Sequence, residues 1–254
     1  MDKILVANWK MNPSTLPEAV ELARASDHEG VILCPPFIYL HALRDEVMNA
    51  PLGAQDLFWE GETGPFTGEV SARMLKNLGV SHVIIGHSER RKRFHETTEI
   101  LNHKLKVALA AGLTPIVCIG EELEEKTNGQ SEAVWQKQCA EIFKDVQTNS
   151  LIYIAYEPVW AISTNKNALP DTPENAANAI NFLQLVISSH STPPVIPAEA
   201  GIFGVSPSSI KFLYGGSVNS SNAASFLDLP NVSGLLVGGA SLKIPEWQKM
   251  MALI

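Results

Sequence analysis

Eight short apolar runs recur along the chain of 254 residues, and helical patterns lie between most of them. The runs are Lys3–Trp9, Val31–Cys34, Leu52–Ala54, His82–Ile85, Pro115–Ile119, Leu151–Ala155, Lys211–Tyr214 and Leu235–Val237. Several are apolar at nearly every position, the pattern of strands buried on both faces of a parallel sheet. Thr15-Leu16-Pro17-Glu18 has the form of a capping box at a helix start. Glu99 to Ala111 reads as an amphipathic helix ended by Gly112, and Thr172-Pro173-Glu174 opens another with proline at its first position. This alternation predicts an α/β fold, a single-domain (β/α)8 barrel over residues 1–254. An open doubly wound sheet competes, but it favours a Gly-rich turn after the first strand, where this chain has Asn8-Trp9-Lys10-Met11-Asn12. No linker divides the chain. Ser188–Ser209 is rich in Pro, Ser and Gly, so a loop-like detour with at most a short helix is expected there.

Composition narrows the function. The formal charge of -8 argues against nucleic acid or an anionic membrane as the main partner. An anionic substrate would need a local cation. No apolar run approaches the roughly 20 residues of a membrane span, and the N-terminus lacks a secretory pattern. Three scattered cysteines, Cys34, Cys118 and Cys139, suggest neither a disulfide framework nor a metal cluster. A cytoplasmic location is the simplest expectation.

In such a barrel, chemistry sits at the C-terminal strand ends. Those ends carry Asn8 and Lys10, then His87, Ser88 and Glu89, then Glu157, and finally the turns Tyr214-Gly215-Gly216-Ser217 and Val237-Gly238-Gly239-Ala240. A carboxylate that is dry and close can remove a proton from carbon, although a strand-end glutamate can equally cap backbone groups. A histidine before a short helix is disfavoured as imidazolium by the helix dipole, although most histidines are structural. Lys10 supplies positive charge or lies exposed on a loop. Two glycine turns after adjacent strands suit the close approach of an anion better than a lone turn does. His82 opens the fourth strand, at the wrong end for chemistry. His28, His41, His95, His103 and His190 have no suggestive context.

Five motifs, in order, resemble the triosephosphate isomerase family over nearly the whole chain: Asn8-Trp9-Lys10-Met11-Asn12, Gly86-His87-Ser88-Glu89-Arg90-Arg91, Ala155-Tyr156-Glu157-Pro158-Val159-Trp160, Tyr214-Gly215-Gly216-Ser217 and Gly238-Gly239-Ala240-Ser241-Leu242. The resemblance implies a TIM barrel and a cofactor-free, metal-free interconversion of D-glyceraldehyde 3-phosphate and dihydroxyacetone phosphate through an enediol(ate), within glycolysis and gluconeogenesis. It implies Glu157 as base, His87 as neutral electrophile and Lys10 as the stabilising cation, the family's known pairing of a glutamate base with a neutral imidazole. It also implies that Asn8, Lys10, Ser163, Ser217, Gly238 and Gly239 bind substrate, with Glu89 and Cys118 in support. Cys118 is then a packing residue and not a nucleophile. Pro158, Val159, Trp160, Ala161, Ile162, Ser163, Thr164, Asn165 and Lys166 correspond to the closing lid. Ser163 and Asn165 stand where the family has glycine, which predicts altered closing kinetics at a cost of about 1 kcal/mol each if a glycine-only conformation is required. Gly64-Pro65-Phe66-Thr67-Gly68-Glu69 resembles the loop that docks into a second subunit, which implies a homodimer with Thr67 at the contact. The acidic run Glu121-Glu122-Leu123-Glu124-Glu125-Lys126 reads as a solvated helix start. Two other functions compete: an inactive binding relative, and another barrel enzyme such as a Schiff-base aldolase or a phosphosugar epimerase.

Overall fold

The computed structural model describes residues 3–162, 168–188 and 205–254. In chain order the elements are β1 (Ile4–Asn8), α1 (Leu16–Ala25), β2 (Val31–Cys34), α2 (Phe37–Leu43), β3 (Gly53–Ala54), α3 (Ala72–Asn77), β4 (His82–Ile85), α4 (Ser88–Phe94), α5 (Thr98–Ala110), β5 (Thr114–Ile119), α6 (Leu123–Thr127), α7 (Ser131–Ile142), β6 (Ile152–Tyr156), α8 (Pro173–Ser188), β7 (Ile210–Tyr214), α9 (Ala223–Leu227), β8 (Gly234–Val237) and α10 (Ile244–Met251). The strands form one parallel sheet in the order β2-β1-β8-β7-β6-β5-β4-β3. Its two ends meet at a parallel bridge between Leu33 and Leu52, reinforced by Leu33 N–H donating to Pro51 O at 3.0 Å. The sheet thereby closes into the expected barrel.

Each predicted run lies within one or two residues of an observed strand, because two apolar environments sandwich the sheet. Successive residues alternate between them. Val6, Ile84, Ile116 and Ala155 pack inside the barrel, whereas Leu5, Val83, Val117 and Ile154 pack outward against the helices. The predicted helix signals also take physical form. The Thr15 side chain accepts from Glu18 N–H while Glu18 reaches back to Thr15, a reciprocal capping box. Thr172 Oγ1 accepts from Asn175 N–H at 3.2 Å ahead of Pro173. Of the Pro/Ser-rich detour, 189–204 lies outside the described residues; at its end Pro207–Ser209 forms a short 3-10 turn leading into β7.

The alternation that fills the core also aims the site. Asn8 is two residues beyond the inward-facing Val6, so it occupies the mouth of the barrel, where it is 5% exposed. Among the described residues no helix is long and apolar enough to cross a membrane.

Candidate active site

Asn8, Lys10, His87 and Glu157 line one cleft at the C-terminal mouth, together with both glycine turns. Lys10 leaves β1 in a left-handed backbone conformation, φ 53°, which a side-chain-bearing residue adopts only under constraint. Two amides supply that constraint. Asn8 Oδ1 accepts from Lys10 N–H at 3.1 Å, and Gln55 Nε2 donates to Lys10 O at 2.8 Å and to Cys34 O at 2.8 Å. Held this way, the Lys10 ammonium reaches Glu89 Oε1 at 2.7 Å. Gln55 was missed from the sequence; its signal was its place directly after the third strand run, at the same barrel mouth.

His87 caps α4. Its Nδ1 accepts from Glu89 N–H at 3.2 Å, so Nδ1 carries no proton. The proton of a neutral ring then sits on Nε2, which lies 2.8 Å from Glu157 Oε1. The first turn of α4 thus sets the tautomer through a specific hydrogen bond. The other carboxylate oxygen of Glu157, Oε2, accepts from Ser88 N–H at 2.9 Å. Burial of Glu157 works against its ionisation. His87, the Ser88 N–H and the Lys10 charge outweigh burial and hold this carboxyl below the usual glutamate range.

The wall from β7 and β8 carries the two glycine turns. Gly215 N–H donates to Tyr156 O at 2.8 Å, which ties the β7 turn to the end of β6. A Cβ at Gly238 would press on Lys10 Cε at 3.3 Å, and one at Gly239 would meet nothing within 4 Å. Gly239 also begins the 3-10 turn Gly239–Leu242 that leads into α10. Ser217 lines the same wall. Cys118 packs inside the barrel, and burial pushes its thiol well above the usual range, away from the thiolate that nucleophilic chemistry uses.

Pro158 to Ile162 form a buried stem containing the 3-10 turn Val159–Ala161; Ser163, Thr164, Asn165 and Lys166, with the two replaced glycines, lie outside the described residues. The stem corrects the reading of the acidic run. Glu122 and Glu124 are exposed, but Glu121 is 1% exposed and is no part of a solvated face. Its carboxylate accepts from Trp135 Nε1 at 2.6 Å, Trp160 Nε1 at 2.7 Å and the Tyr156 hydroxyl at 3.2 Å. Its burial raises its pKa, and these donors offset part of the rise. Lys126 lies 3.6 Å above the Trp160 ring and completes the seat of this stem.

A second group was also missed. Lys104 is 1% exposed and contacts Asp56 Oδ1 at 2.5 Å and Glu96 Oε1 at 2.6 Å. Arg90, on the helix that His87 caps, reaches the same two carboxylates at 2.9 and 2.6 Å. Burial raises the Asp56 pKa to about 6 against the pull of Lys104. His82 lies at the far end of the barrel, where burial lowers its pKa to about 4. Thr67 stands on an exposed loop beside an aromatic group in which Phe58 packs against Trp59 and Phe66, ring centroids 4.2 and 4.7 Å apart. Among the described residues no group of three or more His, Cys, Asp or Glu is arranged to hold a metal ion.

A family model described as Triosephosphate isomerase matches residues 3–254. The chain belongs to the triosephosphate isomerase family. Curated relatives named Triosephosphate isomerase include that of Endomicrobium trichonymphae, 40% identical over 98% of this chain and 97% of the relative. That of Dictyoglomus thermophilum is 41% identical over 95% of both chains, and that of Dehalococcoides mccartyi strain BAV1 is 44% identical over 94% of this chain and 91% of its own. The motif residues of this triosephosphate isomerase family member converge on one mouth although 230 positions separate Asn8 from Gly238.

Proposed function

We propose that this member of the family interconverts D-glyceraldehyde 3-phosphate and dihydroxyacetone phosphate through an enediol(ate), without a cofactor. The observation that carries the reading is the Glu157–His87 pair: an acceptor carboxylate 2.8 Å from the Nε2 of an imidazole whose Nδ1 is occupied as an acceptor. Glu157 takes a proton from the hydroxymethyl carbon of dihydroxyacetone phosphate. The C–H electrons form the carbon–carbon double bond of the enediolate, and the carbonyl electrons move onto oxygen. The His87 Nε2–H and the Lys10 ammonium stabilise that oxygen. Glu157 returns its proton to the neighbouring carbon while a hydroxyl proton passes between the two oxygens, giving the aldehyde. The substrate leaves with the atoms and electrons it brought, so the reaction balances without an external oxidant or reductant.

Binding the substrate also strengthens the base. His87 must turn its Nε2–H from Glu157 to the substrate oxygen, and loss of that donor raises the carboxylate's proton affinity. Ser163, Ser217, Gly238 and Gly239 bind the phosphate, with the 3-10 turn at Gly239 supplying backbone N–H groups. Glu89 orients Lys10, whose Nζ is committed to that pair, which argues against Schiff-base chemistry. The residues 158–166 act as the lid. The protein works in the cytoplasm in glycolysis and gluconeogenesis, as a homodimer whose Thr67 loop enters the second copy.

The test is a coupled assay of the pure protein in both directions. Turnover in the ordinary enzymic range, about 1–10³ per second, is expected. Failure to convert either triose phosphate would refute the proposal.

A further inference from the structure

The tail of β5 presses against the catalytic strand more closely than any side chain could allow. A Cβ on Gly120 would fall 1.8 Å from Glu157 O and 2.6 Å from Glu157 C. Backbone therefore lies directly on backbone at the residue that carries the base. The neighbouring peptides complete the contact: Glu157 N–H donates to Ile119 O at 2.8 Å, and Val159 N–H donates to Glu121 O at 3.1 Å. The base and the lid stem are both hung from Ile119–Glu121.

Two side chains grip this tail from outside the barrel. Gln138, on α7, accepts from Gly120 N–H at 3.1 Å and donates to Gly120 O at 2.8 Å. One primary amide thus satisfies both polar groups of Gly120, as a neighbouring strand would. Arg91, on α4, donates from Nε to Gly86 O at 2.8 Å and from Nη2 to Cys118 O at 2.5 Å, linking the ends of β4 and β5. Gln138 does not line the cleft.

We infer that Gln138 is a positioning residue for Glu157, fixing the height of the carboxylate through Gly120. The inference rests on the proposed reaction for its kinetic readout but not for its structural one. A displacement of about 1 Å at the reacting groups can cost up to 10²-fold in rate. Gln138→Leu removes both bonds, and Gln138→Glu keeps the acceptor for Gly120 N–H while offering an ionised group no proton for Gly120 O.

The experiment measures kcat, KM, the Kd of inorganic phosphate and amide hydrogen exchange in the full-length protein and both variants. In Gln138→Leu kcat is expected to fall about 10- to 100-fold, with KM and phosphate Kd within about twofold and Gln138→Glu intermediate. Exchange over the peptide containing Glu157 and Val159 should quicken about tenfold, while that of β1 stays unchanged. A folded Gln138→Leu with wild-type kcat, or a parallel loss of kcat and phosphate affinity, would overturn the inference. Should Gln138→Leu fail to fold, the Gln138→Glu variant decides by the same criteria. A wild-type protein inactive on triose phosphates would sink the proposed function alone, and the exchange arm would still judge Gln138.

Discussion

On the β1, β4 and β6 side of the cleft, charged and polar side chains are closed into pairs: Lys10 with Glu89 at 2.7 Å, His87 with Glu157 at 2.8 Å, Ser88 N–H with Glu157 at 2.9 Å. On the β7 and β8 side the wall carries the glycine pairs Gly215-Gly216 and Gly238-Gly239, and its side chains, those of Ser217, Val218, Leu236 and Ala240, bear no charge. The difference separates two tasks. Proton transfer needs groups whose protonation states are set by partners within hydrogen-bond reach. Holding a phosphate needs backbone N–H groups and room, which side chains would only obstruct. Rate should therefore live on the first wall and affinity on the second.

The strongest attempt to break that division is Glu157→Gln. Loss of the proposed base is expected to lower kcat on the order of 10³-fold, about 4 kcal/mol in the barrier, while the Kd of inorganic phosphate by calorimetry stays within about twofold. A comparable loss of phosphate affinity would show that the two walls are not independent. Next is the ion cluster that supports only the first wall. Lys104→Met leaves Asp56 and Glu96 buried with Arg90 as their remaining cation partner, so urea unfolding at neutral pH should report a loss of about 3–5 kcal/mol. An unchanged midpoint would mean that the cluster does not stabilise the fold.

Gly239→Val tests the other wall. Its side chain would enter open space, so melting should hardly change, while KM rises about tenfold, near 1.4 kcal/mol. A fall in kcat with KM unchanged would instead place Gly239 in the chemistry. The smallest effect is on acid stability. The Glu157 pKa is depressed in the fold, so its contribution is present above the unfolded value near 4.5 and is lost as pH falls through the folded value. The melting temperature of the native protein relative to Glu157→Gln should therefore decline from pH 6 to pH 3. A pH-independent gap would mean that the pair leaves the carboxyl unperturbed.

The fold was legible because burial on both sheet faces writes the strands as continuous apolar runs, and because Thr15 and Thr172 announce their helices locally. The convergence of the candidate site was legible where strand order alone brings residues together, as at Asn8, His87 and Glu157. It was not legible where function depends on what a side chain meets across the fold. Glu121 looks like the first of several solvated acids, and only packing reveals the two indoles and the phenol around it. Lys104 looks like one more helix-surface lysine, yet its partner Asp56 lies 48 positions away. Gln55 and Gln138 carry no charge and belong to no motif, so their grip on backbone carbonyls leaves no trace in composition.

Lys10 also bears on how such a site can change. Its left-handed backbone would be most comfortable as glycine, yet glycine would forfeit the ammonium. The position therefore cannot be optimised for stability and activity at once, and a search for thermostable variants scored on melting alone should select against the lysine. Grafting this site into another barrel would require moving three residues together, Lys10 with the two amides, Asn8 and Gln55, that hold it there.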